Sequence, residues 1–299
     1  MDSNNRTNRF SFFCFHRFRK ESFVLFFLFF VLILCGCKRE QKGKENFIHF
    51  ETIKKSVSYH LFDKEDNPNC ELELSFTFPS EYSDDKILKK IQNMFVSSAF
   101  GENYSNLSPQ SALDEYAQNY LNVYKALEAD FLKETENLSA DESPGSWYFY
   151  TEYLSNDIFF NESKIISYTN RLETYTGGAH GAHSYLNHVI DLNTGEWITE
   201  EAIFIEGYIE PITKILIEKI TELNQIDDPA KLSDIGYFGI EEIQPNGNIL
   251  INNEGITYTF NEYEIAAYAI GATKVLLSFE EIEPYLKKDS PISQLFDKR

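Results

Sequence analysis

Cysteine is almost missing from the part of this chain that reads as folded. Four occur in 299 residues, and Cys14, Cys35 and Cys37 crowd the N-terminus. Once a leader ending at residue 36 is removed and Cys37 is modified, Cys70 is the one thiol left. An internal disulfide is then excluded, and stability has to come from a core. Cys70 sits in a strand-like run and reads as a small buried hydrophobe rather than a nucleophile. Positive charge is scarce as well, with 27 Lys and Arg against 47 Asp and Glu and a formal charge of −20. Residues 1–36 carry Arg6, Arg9, Arg17, Arg19 and Lys20 against only Asp2 and Glu21, so the remainder is more acidic still. Nucleic-acid binding needs the opposite sign. An acidic surface instead favours solubility and attracts cationic partners. The doublets Asp84-Asp85, Glu200-Glu201, Glu241-Glu242 and Glu280-Glu281 are scattered and read mostly as solvated faces.

Long apolar runs are missing too, with one exception at Phe23–Cys35. That run is short of the ~20 residues a bilayer-spanning helix needs, and it follows a basic stretch, as in a secretory signal. Leu34-Cys35-Gly36-Cys37 places a small residue before a cysteine and an aliphatic residue three before it, the pattern of a bacterial lipobox. Lipidation of Cys37 would attach acyl chains worth ~0.8 kcal/mol per buried CH₂, and several chains hold a soluble domain on a membrane. The expected organisation is therefore a signal peptide over 1–36 and a charged tether over 37–46.

The stretch with the densest local signals is Tyr175–Thr199. Gly177, Gly178 and Gly181 mark backbone that needs positive φ or the close approach of another segment. Asp191-Leu-Asn-Thr-Gly195 is a turn signal between the strand-like His183–Asp191 and a returning Trp197-Ile198, a hairpin. His180 and His183 are spaced to converge on one ion. Zinc, however, asks for three or four ligands, and the nearby His188, Glu173 and Asp191 would fall on both faces of strands. A structural turn is the preferred reading, and no metal or other cofactor is expected. No Ser or Cys stands in an elbow-like setting, so no catalytic residue is assigned.

The run Tyr175-Thr-Gly177-Gly178-Ala179-His180-Gly181, followed by Asp191-x-x-Thr-Gly195 and Glu201-Ala-Ile-Phe204, resembles the PdaC/RsiV-like envelope proteins. A second landmark of that family resembles Phe260-Asn-Glu-Tyr263-Glu264-Ile265-Ala-Ala-Tyr268-Ala-Ile-Gly271 here. The resemblance spans roughly residues 47–286. It implies a PdaC-like domain over 47–180 and an RsiV-type C-terminal domain over 181–288, and the residues after them read as a polar tail over 289–299. It also singles out these motif residues as binding or structural positions. Glu264, between Tyr263 and Tyr268, reads as a carboxylate satisfied by backbone N–H groups, with a general acid as the alternative.

Patterning points to an α+β fold of two small units, with antiparallel sheets each packed against helices. Strands are predicted over 50–60, 72–78, 147–160 and 164–176. Helices are predicted over 84–99 and about 109–134. The second carries Leu113, Tyr116, Tyr120, Tyr124, Leu127 and Phe131 as a core stripe. A helix over 208–223, a hairpin over 248–260, a strand over 274–279 and a short helical end over 280–286 complete the second unit.

Three functional classes stay open. One is a lipid-anchored, extracytoplasmic binding or sensing module in the bacterial envelope. The resemblance implies lysozyme as a ligand, and a cell-wall fragment is the companion possibility. The second is a peptidoglycan-modifying protein related to deacetylases. The family's deacetylase chemistry, however, belongs to a separate domain with an H-x-x-x-H motif, which does not occur here. The third is a structural lipoprotein. Residues 1–22 are too few for a folded cytoplasmic domain, so anti-sigma activity is not expected. The binding module is the preferred reading, as a monomer held to the membrane through Cys37 and without a nucleic-acid partner.

Overall fold

Runs of alternating apolar and polar residues in the first two-thirds of the chain zip into one six-stranded sheet, in the order β1-β2-β3-β4-β5-β6. The computed structural model describes residues 44–136, 138 and 145–296. Cys37 and the signal-like run lie outside the described residues. The strands are β1 Ile48–His60, β2 Asn69–Tyr82, β3 Tyr150–Glu162, β4 Ile165–Thr176, β5 Ala182–Asp191 and β6 Glu196–Trp197. All neighbours are antiparallel except β2 and β3, which run parallel from Cys70↔Tyr150 to Ser75↔Ser155. A parallel pair needs a crossover. Here it holds α1 Asp85–Phe100, α2 Pro109–Lys125 and α3 Glu128–Thr135.

The helices start where side chains can satisfy their free N–H groups. Asp84 accepts from the N–H groups of Lys86 and Ile87 at 2.9 and 3.1 Å, a cap worth about 1 kcal/mol. Ser108 accepts from Ser111 N–H at the head of α2, with Pro109 in the first turn. The single helix expected over 109–134 is instead two. Leu127 N–H bonds the Tyr124 carbonyl, three residues back instead of four, and the last turn of α2 tightens. The predicted stripe still faces inward, with Leu113, Tyr124 and Phe131 buried. Its tyrosines keep their hydroxyls bonded. Tyr116 donates to Glu152 and Tyr124 to the Tyr148 carbonyl, at 2.6 and 2.7 Å.

Strand β4 explains how the two sheets join. Its first six residues, Ile165 to Asn170, are all buried, as in a strand covered on both faces. Ile166 and Tyr168 point to the helices, where Tyr168 stacks on Phe95 at 4.0 Å and 14°. Ile165 points the other way, into the core of the second sheet. Ser167 does the same, bonding both the carbonyl and the N–H of Ile251. That second sheet is antiparallel β7 Ile249–Ile251, β8 Gly255–Phe260 and β9 Thr273–Ser278. Before it come α4 Glu200–Ile203 and α5 Ile209–Leu223, the latter burying Ile212, Leu216 and Ile220. After it comes α6 Phe279–Ile282.

The α+β class and the two sheet-and-helix units are as expected, with the one parallel pair as the difference. The limits between segments move. The boundary expected at 180/181 falls between β4 and β5, which pair over Ile165↔Asp191 to Thr174↔Ala182, so the 182–197 hairpin completes the first sheet. The last residues of the expected tether are docked: Asn46 is buried and bonds Asn161, Ile165 and Lys164. The expected polar tail contains Ile292, fully buried in the second core, just before α7 Ser293–Phe296. Its apolar Ile292, Leu295 and Phe296 outweigh their polar neighbours.

Candidate functional site

The two motifs meet in space. The Gly177–Gly181 turn caps the β4–β5 hairpin, and Tyr263–Tyr268 follows β8. The link between them is a set of asparagine bonds. Asn261 Oδ1 accepts from Tyr185 N–H at 2.7 Å, and its amide donates back to the Tyr185 carbonyl at 3.1 Å. Asn248 bonds Asn187 N–H and the Tyr185 carbonyl. Asn187, in turn, donates to Thr259. An asparagine offers a backbone-like donor and acceptor together, so it can dock one strand edge against another.

On this frame the rings of His180, Tyr263 and Tyr268 stack. His180 lies 3.9 Å from Tyr268 at 19°, and Tyr263 lies 5.8 Å from Tyr268 at 30°. His180 Nδ1 donates to the Gly181 carbonyl at 2.8 Å, which leaves Nε2 to accept from the Tyr263 hydroxyl at 3.3 Å. His183 donates its backbone N–H and Nδ1 to Glu262, at 3.1 and 2.9 Å. Tyr263 holds φ 63°, a left-handed conformation rare for an aromatic residue, and stays 57% exposed.

His180 and His183 engage different side chains, Tyr263 and Glu262. Among the described residues no three His, Cys, Asp or Glu side chains are grouped to hold a metal. Gly177 shows why the turn is glycine-rich: φ is 91°, and a Cβ would sit 2.2 Å from the Trp147 Cα. Tyr175 donates to the Gly178 carbonyl and braces the turn, while Ala179 is exposed beside His180. Glu264 accepts from Asn261 N–H at 2.8 Å and from the Asn246 amide at 2.6 Å. Ile265 is a core residue, and Gly271 ends the short turn after Tyr268. Asp191 and Gly195 sit at the far end of β5. There Asp191 accepts from Asn193 N–H at 2.8 Å and holds the β5–β6 turn, away from the ring cluster.

A second feature has no motif. A cleft of about 460 Å³ opens between the end of α1, strands β5 and β6, and the Gly247–Ile249 segment. His188, Trp197 and Glu200 line it. The His188 ring lies 5.0 Å from Tyr168 and 5.1 Å from Trp197. Burial pulls its pKa down to about 4, and its Nε2 has no hydrogen-bond partner. Glu200 is only 7% exposed, against the expectation of a solvated doublet. Tyr208 donates to its Oε2 at 3.3 Å, and the Tyr258 hydroxyl and Gly247 N–H lie against the same carboxyl group. Burial raises its pKa, an effect that Tyr258, the Gly247 N–H and Tyr208 oppose. The Tyr258 hydroxyl is buried beside Glu200, and burial and that carboxylate raise its own pKa. Glutamate doublets look alike in sequence. The signal that could have separated this one is Phe204, whose burial with Ile203 turns the first helical residue inward.

Comparison with known proteins bears on the second sheet first. Residues 201–280 match DUF3298, a family of proteins of unknown function. The DUF3298 segment runs from α4 through β9 and so contains Tyr263 and Tyr268, but not His180 or Glu200. A DUF3298 protein of Bacteroides fragilis NCTC 9343, solved as a crystal structure, is 27% identical with a TM-score of 0.79. The match covers 86% of this chain and 100% of that one. A DUF3298 protein of Pseudomonas aeruginosa PAO1 has the same fold, with a TM-score of 0.56 at 13% identity, over 81% of this chain and 96% of its own. No curated protein matches.

Proposed function

We propose that this chain is a lipid-anchored, extracytoplasmic binding or sensing module of the PdaC/RsiV-like kind, whose ligand is a cationic protein such as lysozyme. The observation that carries the reading is the stack of His180, Tyr263 and Tyr268 beside Glu262, with His180 and Tyr263 exposed and Tyr268 half-buried between them, built from two segments distant in sequence. Aromatic faces beside carboxylates attract Lys and Arg side chains by cation–π and Coulombic terms. The formal charge of −20 extends that attraction over the surface. The ring nitrogens of His180 are committed to Gly181 and Tyr263, which suits a rigid recognition surface better than proton transfer. Lipidation at Cys37 would hold the body at the membrane.

Calorimetric titration of the full-length chain, in mild detergent, with lysozyme tests the ligand. Saturable binding that weakens with salt and falls at least about tenfold in Tyr268→Ala is expected. Absence of binding, or binding indifferent to Tyr268→Ala, would defeat the reading. Muropeptides in the same assay distinguish a wall fragment as ligand. Palmitate labelling that persists in Cys37→Ser would remove the anchor.

A further inference from the structure

We propose that the corner of the body carrying Lys44, Phe47 and Lys164 is a lipid-contacting face, which rests on an anionic bilayer with the Phe47 ring among the headgroups. This face completes the membrane attachment proposed above and depends on lipidation of Cys37.

Phe47 is 83% exposed, against 60% for Leu223, the next most exposed large apolar side chain among the described residues. A single exposed ring is ordinary; its setting makes this one informative. Asn46 before it and Ile48 after it are both buried. Asn46 N–H donates to the Asn161 carbonyl at 3.2 Å, and Ser163 N–H donates to the Lys44 carbonyl at 2.8 Å. The backbone is thus fixed on both sides of a ring that reaches neither core. Such a ring suits a bilayer interface, where an apolar side chain enters the headgroup region without any change in the fold behind it.

Charge and reach point the same way. Residues 38–46 carry Lys38, Arg39, Lys42 and Lys44 against Glu40 and Glu45, a cationic excess in a chain of formal charge −20. Lys44 and Lys164 line a hollow beside Phe47, with Glu45 as its single acid. Lys164 gives Nζ to the Tyr82 hydroxyl at 2.9 Å and lies over that ring, rather than pairing with a carboxylate. Anionic lipid repels the acidic body as a whole, so a cationic corner decides which side turns toward it. Lys44 follows Cys37 by seven residues, at most about 25 Å of extended chain. A lipid on Cys37 therefore brings this corner to the bilayer, and an acyl anchor joined to a basic patch holds more firmly than either alone.

The ring stack lies at the other end of the same strand. Asn46 bonds the Ile165 carbonyl, which places Phe47 by the start of β4, whereas the Gly177–Gly181 turn follows Thr176. The twelve residues of β4 span roughly 36 Å. With Phe47 on the lipid, the rings of His180, Tyr263 and Tyr268 are held away from it, where a ligand can approach.

The test reconstitutes the full-length chain, produced with its own leader, into vesicles of phosphatidylcholine and phosphatidylglycerol whose acyl chains carry bromine, a contact quencher of tryptophan. The emission that Phe47→Trp adds to the wild-type background of Trp147 and Trp197 is expected to fall by at least about half relative to unbrominated vesicles. Phe149→Trp changes a ring that is 43% exposed next to the Tyr150↔Thr176 pair, at the far end of the sheet. Its added emission should fall by no more than about a tenth. Lys44→Gln with Lys164→Gln, placed in the Phe47→Trp chain, is expected to reduce the quenching at least about twofold. A chain that does not float with the vesicles would defeat the anchor and this face together. A chain that floats, with Phe47→Trp quenched no more than Phe149→Trp, overturns the face and leaves the anchor standing. Quenching indifferent to the two lysines overturns the face as well.

Discussion

The two ends of β5 solve opposite problems. At the Ala182 end, His180, His183, Glu262 and Glu264 stand near solvent with their polar atoms engaged by named partners. Toward the Asp191 end, His188 and Glu200 are withdrawn from water, and the His188 Nε2 is left unpartnered. Polar groups that are exposed and bonded make shape at little energetic cost. Polar groups that are buried and unbonded hold the fold in an uncomfortable state, which something else must relieve. The first end is rich in motif and poor in perturbed chemistry, and the second is the reverse.

The sharpest way to break this contrast is acid. His188 titrates near 4 in the folded chain against an ordinary 6.5. Between those values the unfolded chain binds a proton that the folded chain refuses, so stability falls as pH drops from about 6.5 to about 4. The loss attributable to this ring is about 3 kcal/mol. Urea unfolding of wild type and His188→Asn at pH 7 and pH 4.5 should show a smaller drop in the variant.

Next in size is the glycine turn. Gly177→Ala combines a left-handed φ with a collision against the Trp147 backbone and should cost about 2–3 kcal/mol. Gly178→Ala has φ 95° but open space around the new methyl, so about 1 kcal/mol is expected. Thermal melts of the two variants separate conformational strain from close approach. Equal losses would mean that Trp147 gives way.

Glutamate substitutions should then move in opposite directions. Glu200 has a raised pKa, so the folded chain keeps a proton that the unfolded chain releases. Stability therefore declines as pH rises from the ordinary carboxylate range through the folded value. Glu200→Gln removes that decline and should stabilise the protein at pH 7. Glu264→Gln, which weakens acceptance from Asn261 and Asn246, should destabilise by about 1 kcal/mol. Denaturant midpoints at pH 7 decide the signs. A destabilised Glu200→Gln would mean that the ionised carboxylate is needed where it stands.

Much of the architecture was legible because it rests on local pattern. The α1 face, the tyrosine stripe of α2, the β5–β6 turn at Asp191–Gly195 and the β7–β8 hairpin all follow from periodicity and turn chemistry. Where the units divide was not legible. Whether β5 pairs with β4 depends on a ladder that begins in the glycine turn, and glycines there read equally well as a boundary. Ile292 was hidden by its polar neighbours, because one apolar residue carries no period. The meeting of His180 with Tyr268 had a sequence signal in its two landmarks but none for the contact itself. The asparagines that dock β5 on β8 are common turn residues with no pattern of their own. Burial of Glu200 depends on three segments, among them Gly247 and Tyr258, that no local window contains.

The smallest effect tests whether the exposed end is built as firmly as its hydrogen bonds suggest. His183 and Glu262 form a pair with side-chain exposures of 44% and 12%. Solvent screens the imidazole more than the carboxylate, so their side-chain coupling should be about 0.5 kcal/mol in a double-mutant cycle. The two single losses should nevertheless differ. His183→Ala leaves its own backbone N–H free to bond Glu262 Oε2, whereas Glu262→Ala strips a partner from both that N–H and the ring. Glu262→Ala should therefore cost about 1 kcal/mol and His183→Ala about half that, read from urea midpoints at pH 7. If the two losses are equal, the backbone bond contributes little, and the turn is held by its ring stack on Tyr268 instead.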